Sequence, residues 1–284
     1  MNGVSYRRVI LALLLTAIFS MALTAQQWGR RGRSSEWQSV GRNGVPTWEV
    51  DKPFSKDLFT FVRIKYDSGG YGYGRGGGGW ATDFRDSELN FTLRLQQLTS
   101  MKVDPEPIVL ELTDPKLFDY PFIYIIEPGA LMFHTEEVVA LRRYLLNGGF
   151  LMVDDFWGED EWEGFYDYFS QVFPGKELVE LDVSHPIFNT PFPLKRKPQI
   201  PNVQTGTESV WFNNGVTWER DDAKVPHYRA LFDDNGRMMA IICHNTDIGD
   251  AWEREGENVT YFHEFSEKWS YPMGINIVTY AMTH

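Results

Sequence analysis

The sequence predicts an α/β protein that forms a single domain around a mostly parallel sheet. Short apolar runs alternate with amphipathic helix patterns over most of the chain, which is the signature of consecutive βαβ units. The apolar runs contain few polar residues, and this indicates strands that are buried on both faces. A loop with eight glycines follows the first of these strands and precedes a helix. Such a loop is a common place for α/β proteins to bind ligands.

The segments before the domain predict export. Residues 1–25 have the pattern of a secretory signal, because two arginines precede an apolar stretch and small residues then allow cleavage after Ala22 or Ala25. An uncleaved anchor is the alternative, although the stretch is short for a membrane span, which needs about 20 apolar residues. Residues 26–56 are predicted to be a flexible Gly/Arg-rich tether, so the domain covers residues 57–284. We therefore expect a periplasmic or extracellular protein that meets the membrane only through its signal segment.

Charge and cysteine content exclude some functions. The formal net charge is −12, and the six arginines of residues 1–42 leave the rest of the chain still more acidic. Such a body should repel nucleic acid, so we expect no nucleic-acid partner. Cys243 is the only cysteine, which rules out an intrachain disulfide, and its apolar surroundings predict a small buried hydrophobe.

The first half of the domain begins with a strand. The run 59–66 is rich in Phe, Val, Ile and Tyr, which favour strands. After the glycine loop, Asp86 or Ser87 can cap a helix whose four leucines recur at helical spacing. Two further apolar runs, at 108–112 and 122–126, predict the next strands.

The middle of the domain repeats this alternation. Thr135 is predicted to cap a helix that ends at residues 147–149, Asn-Gly-Gly, because glycine readily adopts the left-handed conformation that stops a helix. Residues 150–153 follow as a buried strand. A short aromatic helix is predicted over residues 165–173, closed by Pro and Gly.

The last part of the domain is less regular. Residues 186–230 are rich in Pro and Asn and show little periodicity, which predicts a long irregular excursion. The apolar run 238–243 returns to the sheet. Residues 259–262 are predicted as an edge strand, and residues 273–283 as a closing helix.

Three stretches of this chain together resemble a known family. They are the opening strand with its glycine loop up to Asp83, the segment 147–158, and the segment 274–284. They resemble an exported bacterial family catalogued as domain of unknown function 4159, and the likeness covers about residues 57–284. It implies a fold similar to the class I glutamine amidotransferase superfamily, a flavodoxin-like, three-layer sandwich. It also implies partners, since members of the family are neighbours in genomes of MoxR-type ATPases and von Willebrand-type domain proteins.

The sequence departs from the amidotransferase pattern at the nucleophile. In those enzymes a cysteine occupies a tight turn after the strand that follows the helix, and a His-Glu pair activates it. By resemblance, that strand is 150–153 here, and Asp154 and Asp155 occupy the turn. A carboxylate cannot perform thiolate chemistry on an amide at neutral pH. Glutamine amidotransferase activity is therefore not expected.

Polar side chains follow several predicted strands. In an open parallel sheet, ligands bind outside the carboxyl ends of the strands, where these groups should converge. Asp154 and Asp155 are the candidate catalytic residues. The candidate ligand-binding residues are Asp67, Ser68, Gly69, Gly70, Arg75, Trp80, Asp83, Glu127, Trp157, His185, His244, Asn245, Asp247 and Asp250. The alternative is that Asp154 caps the next helix, the other acids are solvated, and His185 merely ends a strand before Pro186.

The chemistry of these candidates suggests a cation. Carboxylates gathered at one edge repel one another unless they are protonated or neutralised. Oxygen-rich sites suit hard cations such as Ca²⁺ or Mg²⁺, and paired carboxylates also suit general acid–base catalysis. No cofactor is firmly implied by the sequence. A divalent cation is the one candidate that these residues suggest.

The glycine loop does not fit a phosphate site. No Lys-Ser or Lys-Thr follows its glycines, and Asp67, Asp83 and Asp86 would oppose a phosphate that only Arg75 attracts. A mobile, aromatic-bearing lid fits better, with simple low-complexity flexibility as the alternative.

Two functions remain open at this point. The first is a non-catalytic binding or scaffold protein of the cell envelope that lacks the cysteine nucleophile. The second is a hydrolase acting on a carbohydrate or peptide, with Asp154 or Asp155 as the base.

Overall fold

The computed structural model describes residues 42–50, 57–69 and 79–284. The predicted signal segment, most of the predicted tether and the part of the glycine loop that contains Gly70 and Arg75 lie outside the described residues. Where it is described, the chain is a mixed α/β structure with a seven-stranded, mostly parallel sheet, as the sequence predicts.

The sheet has the strand order β3-β1-β4-β6-β9-β8-β7, and a separate antiparallel pair joins β2 to β5. The strands are β1 (Val62–Lys65), β2 (Asp67–Ser68), β3 (Ile108–Glu111), β4 (Phe122–Ile126), β5 (Leu131–Met132), β6 (Phe150–Asp154), β7 (Val179–Glu180), β8 (His227–Phe232) and β9 (Met238–His244). Five neighbouring strands of the sheet are parallel, namely β3, β1, β4, β6 and β9. Strand β8 runs antiparallel to both β9 and β7. The carboxyl ends of β1, β4, β6 and β9 therefore point to one edge of the sheet.

Helices connect most of the strands. They are α1 (Asp86–Leu98), α2 (Thr135–Leu146), α3 (Gly158–Phe169), α4 (Val203–Trp211), α5 (Asp250–Glu253), α6 (Val259–Tyr261), a π-helical segment (Phe262–Ser270) and α7 (Tyr271–Thr283). Helix α1 ends at Leu98, the last of the predicted leucines, but its N-cap is Arg85, so the prediction that Asp86 or Ser87 caps it is wrong. Helix α2 is capped one residue earlier than predicted, because the Glu137 side chain reaches back and accepts a hydrogen bond from the His134 amide at 2.8 Å.

The central strand β4 shows how the core is divided. Phe122, Tyr124 and Ile126 enter one hydrophobic cluster, which also holds apolar side chains of α1 and α7. Ile123 and Ile125 enter a second cluster, which includes side chains of α2 and α3. Because successive side chains of a strand point to opposite faces, both faces of β4 are covered, as its unbroken apolar sequence predicts.

The register of the central strands aligns the residues that follow them. Ile126 of β4 pairs with Asp154 of β6, and the amide of Glu127 donates to the Asp154 carbonyl at 3.1 Å. On the other side, Val153 pairs with Ile242 of β9. The residues immediately after β4, β6 and β9 consequently lie side by side.

Three predictions fail in the second half of the chain, although the strand at 238–243 and the closing helix at 273–283 are confirmed as β9 and α7. The aromatic helix begins at Gly158, seven residues before the predicted start, and the range 186–230 contains α4 and the first residues of β8. The predicted edge strand over 259–262 is wrong, because this segment is helical. Asn258 caps it by accepting a hydrogen bond from the Tyr261 amide at 3.0 Å, and Tyr261 is buried. Capping and packing override a short run of strand-forming residues.

Candidate functional site

Acidic side chains gather where the central strands end. We call this region the acidic rim and define it by the residues Asp83, Glu127, Asp154, Asp155, Asp247, Asp250 and Glu253. Two groups of carboxylates lie within it. One oxygen from each of Asp83, Asp155 and Asp247 lies within 4.8 Å of the others, and the same holds for Asp83, Asp250 and Glu253. Asp83 belongs to both groups.

Four residues at or beside the rim have a left-handed backbone although none is glycine. The φ angles are +60° at Asp83, +47° at Glu127, +59° at Asp155 and +61° at Asn245. Three of them directly follow β4, β6 and β9. The left-handed conformation costs about 1–2 kcal/mol for most residues with a side chain, and less for Asp and Asn, whose short polar side chains can form local hydrogen bonds. Backbone strain of this kind concentrates at functional sites, so its occurrence here motivates a functional hypothesis.

Asp154 anchors the loop after β9. Its side chain is 0% exposed, and its Oδ2 accepts hydrogen bonds from the amides of Ile248 and Gly249 at 2.9 and 3.0 Å and from the Tyr124 hydroxyl at 3.1 Å. Burial raises the pKa of Asp154 to about 7, although these hydrogen bonds oppose the rise. Its Oδ1 is buried without a hydrogen-bond partner among the described residues.

Asp155 and Asp247 have few compensating partners. Asp155 Oδ1 accepts from the Trp157 indole at 3.3 Å, and Asp247 Oδ1 accepts from the Asp250 amide at 2.7 Å. Burial, followed by the charges of nearby carboxylates that include Asp154, holds the pKa of both side chains well above the ordinary value. These acids retain protons at pH values where an exposed aspartate is ionised.

The second group contains a cation of its own. Arg254 Nε lies 3.2 Å from Asp250 Oδ1 and 2.7 Å from Glu253 Oε2. The Tyr261 hydroxyl also donates to Asp250 Oδ2 at 3.2 Å. Burial still raises the pKa of Glu253 to about 7. The two groups therefore differ, because Arg254 forms its ion pairs with Asp250 and Glu253, which belong only to the second group.

Asp83 is held by the segment that returns from the glycine loop. Arg63, which is 0% exposed in β1, forms an ion pair with Glu88 of α1 and donates to the carbonyl oxygens of Trp80 and Thr82 at 3.1 and 2.5 Å. This buried arginine fixes the backbone immediately before Asp83. The Oδ2 atom of Asp83 is itself buried and lacks a hydrogen-bond partner among the described residues.

Glu127 faces the returning end of the glycine loop. Its Oε2 accepts from the Gly79 amide at 2.9 Å, and the Tyr66 hydroxyl lies 2.7 Å from both the Ile126 and Glu127 carbonyl oxygens. Burial raises the pKa of Glu127. The described end of the loop is thus tied to the end of β4.

His244 and Asn245 have structural partners. His244 is 1% exposed, with Nε2 3.0 Å from the Gly158 carbonyl and Nδ1 3.1 Å from Arg229 Nη1. Because a carbonyl only accepts and a guanidinium only donates, the ring is neutral with its proton on Nε2. Burial lowers the pKa of His244 to about 4. Asn245 accepts from the Gly158 amide at 2.9 Å and donates to the Val225 carbonyl at 2.9 Å.

The other predicted residues lie outside the two carboxylate groups. Asp67 and Ser68 are exposed in β2, and Asp67 Oδ2 lies 3.1 Å from His134 Nε2. The Gly69 amide donates to a backbone carbonyl, and the half-buried Trp80 packs on the second hydrophobic cluster. His185 caps a short 3₁₀ turn, and its ring lies tilted against that of Tyr280 of α7, at 5.6 Å between ring centres.

The sequence reasoning missed three residues of the site. Glu253 could have been found, since it lies one helical turn after Asp250. Tyr124 and Arg63 carry weaker signals, because a tyrosine or an arginine in an apolar strand does not reveal its partner. Arg63 in particular stands out only as a charge inside a predicted buried strand.

Fold and site together define a mixed α/β protein with a mostly parallel sheet and a partly buried acidic rim beside its strand ends. The chain belongs to the family described as a domain of unknown function (DUF4159), whose model matches residues 60–282. A comparison with curated proteins finds no match. Within the described ranges, none of the helices combines the length and the apolar character that a membrane crossing requires.

Proposed function

We propose that this protein is an exported, non-catalytic binding or scaffold protein of the cell envelope that captures its ligand at the acidic rim. One observation carries the proposal: oxygens of Asp83, Asp155 and Asp247 lie within 4.8 Å of one another at strand ends, where open α/β sheets bind ligands. Ionised carboxylates only accept hydrogen bonds. A ligand at this rim must therefore bring hydrogen-bond donors, a positive charge or both.

We further propose that the fold is the three-layer, flavodoxin-like sandwich of the class I glutamine amidotransferase superfamily. The five parallel strands and the two hydrophobic clusters support this. The chemistry of those enzymes has no support, because Asp154 ends β6 and Asp155 follows it, where the resemblance places the cysteine. Cys243, the only cysteine, is 0% exposed within β9, and burial raises its pKa well above the ordinary value.

The envelope assignment rests on the sequence. A predicted signal segment over 1–25 supports export, and the family resemblance suggests MoxR-type ATPases or von Willebrand-type domain proteins as candidate partners. The strongly acidic body argues against nucleic acid. A partner that meets the rim should present Lys or Arg side chains or a bound cation, because the rim consists of carboxyl groups.

Retention of envelope components by matched variants tests the binding function. The protein is immobilised and exposed to an envelope extract of its own host, and the retained molecules are identified by mass spectrometry. Asp155→Asn removes one charge at the rim, whereas Asp119→Asn removes one exposed charge just before β4, at the opposite end of the sheet. We expect the first substitution to abolish retention and the second to preserve it. Equal retention by both variants would contradict binding at the rim.

A hydrolase acting on a carbohydrate or peptide is the second candidate. One observation favours it: the pKa of Asp154 is raised to about 7, which suits a general base near neutral pH. Against it, Asp154 is 0% exposed and its Oδ2 already accepts three hydrogen bonds. Asp155, at 9% exposure, is the better placed of the two carboxylates.

A turnover assay separates the two candidates. Envelope glycans and peptides are incubated with wild type and with Asp154→Asn and Asp155→Asn, and the products are resolved by mass spectrometry. A hydrolase should lose turnover in a variant whose thermal unfolding is unchanged. A binding protein should yield no products in any of the three samples.

A further inference from the structure

We propose that the acidic rim binds one Ca²⁺ ion between Asp83, Asp155 and Asp247. This inference rests on the proposed binding function, because it names the first ligand of the same rim. The three residues come from separate parts of the chain: the segment before α1, the turn after β6 and the loop after β9. Only the folded protein brings them together.

The ligand set favours calcium. The three oxygen atoms lie within 4.8 Å of one another, so one ion can contact all three. Ca²⁺ takes six to eight oxygen ligands in a flexible geometry, whereas Mg²⁺ demands a nearly ideal octahedron and is usually held by one or two carboxylates. Water molecules can complete the six to eight ligands that Ca²⁺ requires.

Unpartnered buried oxygens point to a ligand independently of this spacing. Asp83 Oδ2 is buried and has no hydrogen-bond partner among the described residues. Asp154 is 0% exposed, and its Oδ1 also has no hydrogen-bond partner among the described residues. Gly249 lies between the two aspartates. Its amide donates to Asp154 Oδ2, and a side-chain carbon at this position would lie 3.4 Å from Asp83 Oδ2. Asp154 also lies close enough for its charge to act on Asp155 and Asp247. Buried acceptors without partners are rare in folded proteins and require an explanation.

The neighbouring carboxylates explain why one ion is expected rather than two. Arg254 lies 3.2 Å from Asp250 and 2.7 Å from Glu253, so it already supplies a positive charge to the second group. No ion pair joins Asp83, Asp155 or Asp247 to an arginine or lysine among the described residues. The first group is therefore the one that a cation would neutralise.

Calorimetry and thermal unfolding of the protein, freed of metal with EDTA, test the inference with CaCl₂ as the titrant. We expect one Ca²⁺ per chain, and at about 100 times the dissociation constant a rise in melting temperature of roughly 5–10 °C. Asp155→Asn and Asp247→Asn should each weaken binding by about tenfold or more, since ligand charge sets calcium affinity. Glu253→Gln is the matched control in the second group and should change the affinity less than about threefold.

The Asn variants remain informative about folding. Asparagine still accepts through its side-chain oxygen, so the bonds to the Trp157 indole and the Asp250 amide can persist. In EDTA these variants should melt no lower than wild type, because each removes one of the mutually repelling buried carboxylates. Loss of the calcium response with an unchanged melt in EDTA therefore supports the site.

Several results would overturn the inference. The first is that CaCl₂ produces neither heat nor a shift in melting temperature in wild type. The second is that Asp247→Asn responds to CaCl₂ as strongly as wild type. The others are a larger response of wild type to MgCl₂ than to CaCl₂, and loss of calcium binding in Glu253→Gln. Failure of the calcium titration leaves the proposed function standing if retention of envelope components still depends on Asp155. If retention does not depend on Asp155, the proposed function itself fails.

Discussion

Protonation of His244 should destabilise the fold in mild acid. The ring is neutral in the folded protein, with Nδ1 accepting from Arg229 and Nε2 donating to the Gly158 carbonyl. A second proton on Nδ1 would point at the guanidinium. Burial is the largest cause of the lowered pKa, the charges of Arg229 and His227 lower it further, and Asp222 and the Gly158 carbonyl oppose them.

The sign and size follow from linkage. The folded pKa is about 4, against an unfolded value of 6.5, so the unfolded state binds more protons between these two pH values. The stabilisation is fully present above pH 6.5 and is lost as the pH falls towards 4. At one pKa unit per 1.36 kcal/mol, the whole shift corresponds to about 3 kcal/mol, of which about 2 kcal/mol is lost between pH 7.5 and pH 5.

Urea unfolding of wild type and His244→Gln at pH 7.5 and pH 5 measures this contribution. Glutamine keeps a donor and an acceptor but does not titrate. Other titrating groups, the rim carboxylates among them, contribute equally to both proteins, so the difference between the two pH dependences isolates His244. We expect wild type to lose about 2 kcal/mol more than the variant. The exposed His263 provides the control, and His263→Gln should behave like wild type. Losses that agree within about 0.5 kcal/mol for wild type and His244→Gln would refute the reasoning.

Two further predictions concern the supports of the rim. Arg63→Met leaves Glu88 buried without its ion-pair partner, so the free energy of unfolding in urea should fall by about 3–5 kcal/mol. Adding Glu88→Gln should recover part of this loss. A loss below about 1 kcal/mol would contradict a buried ion pair. Gly158→Ala should cost about 2 kcal/mol or more, because φ is +77° and the new Cβ would lie 2.7 Å from Asp222 Oδ1. Gly175 has a similar φ of +82°, but a new Cβ there would meet open space, so Gly175→Ala should lower the free energy of unfolding by only about 1 kcal/mol. Equal losses in the two variants would show that the Asp222 contact is unimportant.

The central sheet was predictable because its signal is local. The run 122–126 is a strand with the predicted limits, and residues 150–153 extend by one residue to Asp154. Continuous apolar runs that end at polar residues mark such strands without knowledge of the fold. Strand β8 was not predicted, because polar residues such as Arg229 interrupt it and its place depends on pairing with β9.

The site was predictable only where strand ends determine position. Asp155 and Asp247 converge because they follow neighbouring parallel strands. Asp67 follows β1 in the sequence but lies apart, because β2 leaves the main sheet to pair with β5. The contact of Arg254 with Glu253 depends on the path of the loop after β9, which no periodicity in the sequence specifies.

The left-handed residues at the strand ends differ in how far their side-chain contacts offset the cost of this backbone conformation. A glycine adopts this conformation without steric cost, so each side chain at such a position must be offset by its own contacts. Asn245 makes two hydrogen bonds to the backbone, and Glu127 accepts from the Gly79 amide. Asp155 accepts a single long hydrogen bond from Trp157 among the described residues, and it lies beside carboxylates that repel its charge. Its side chain therefore has a requirement that the described protein contacts do not meet, and a cation between Asp83, Asp155 and Asp247 would meet it.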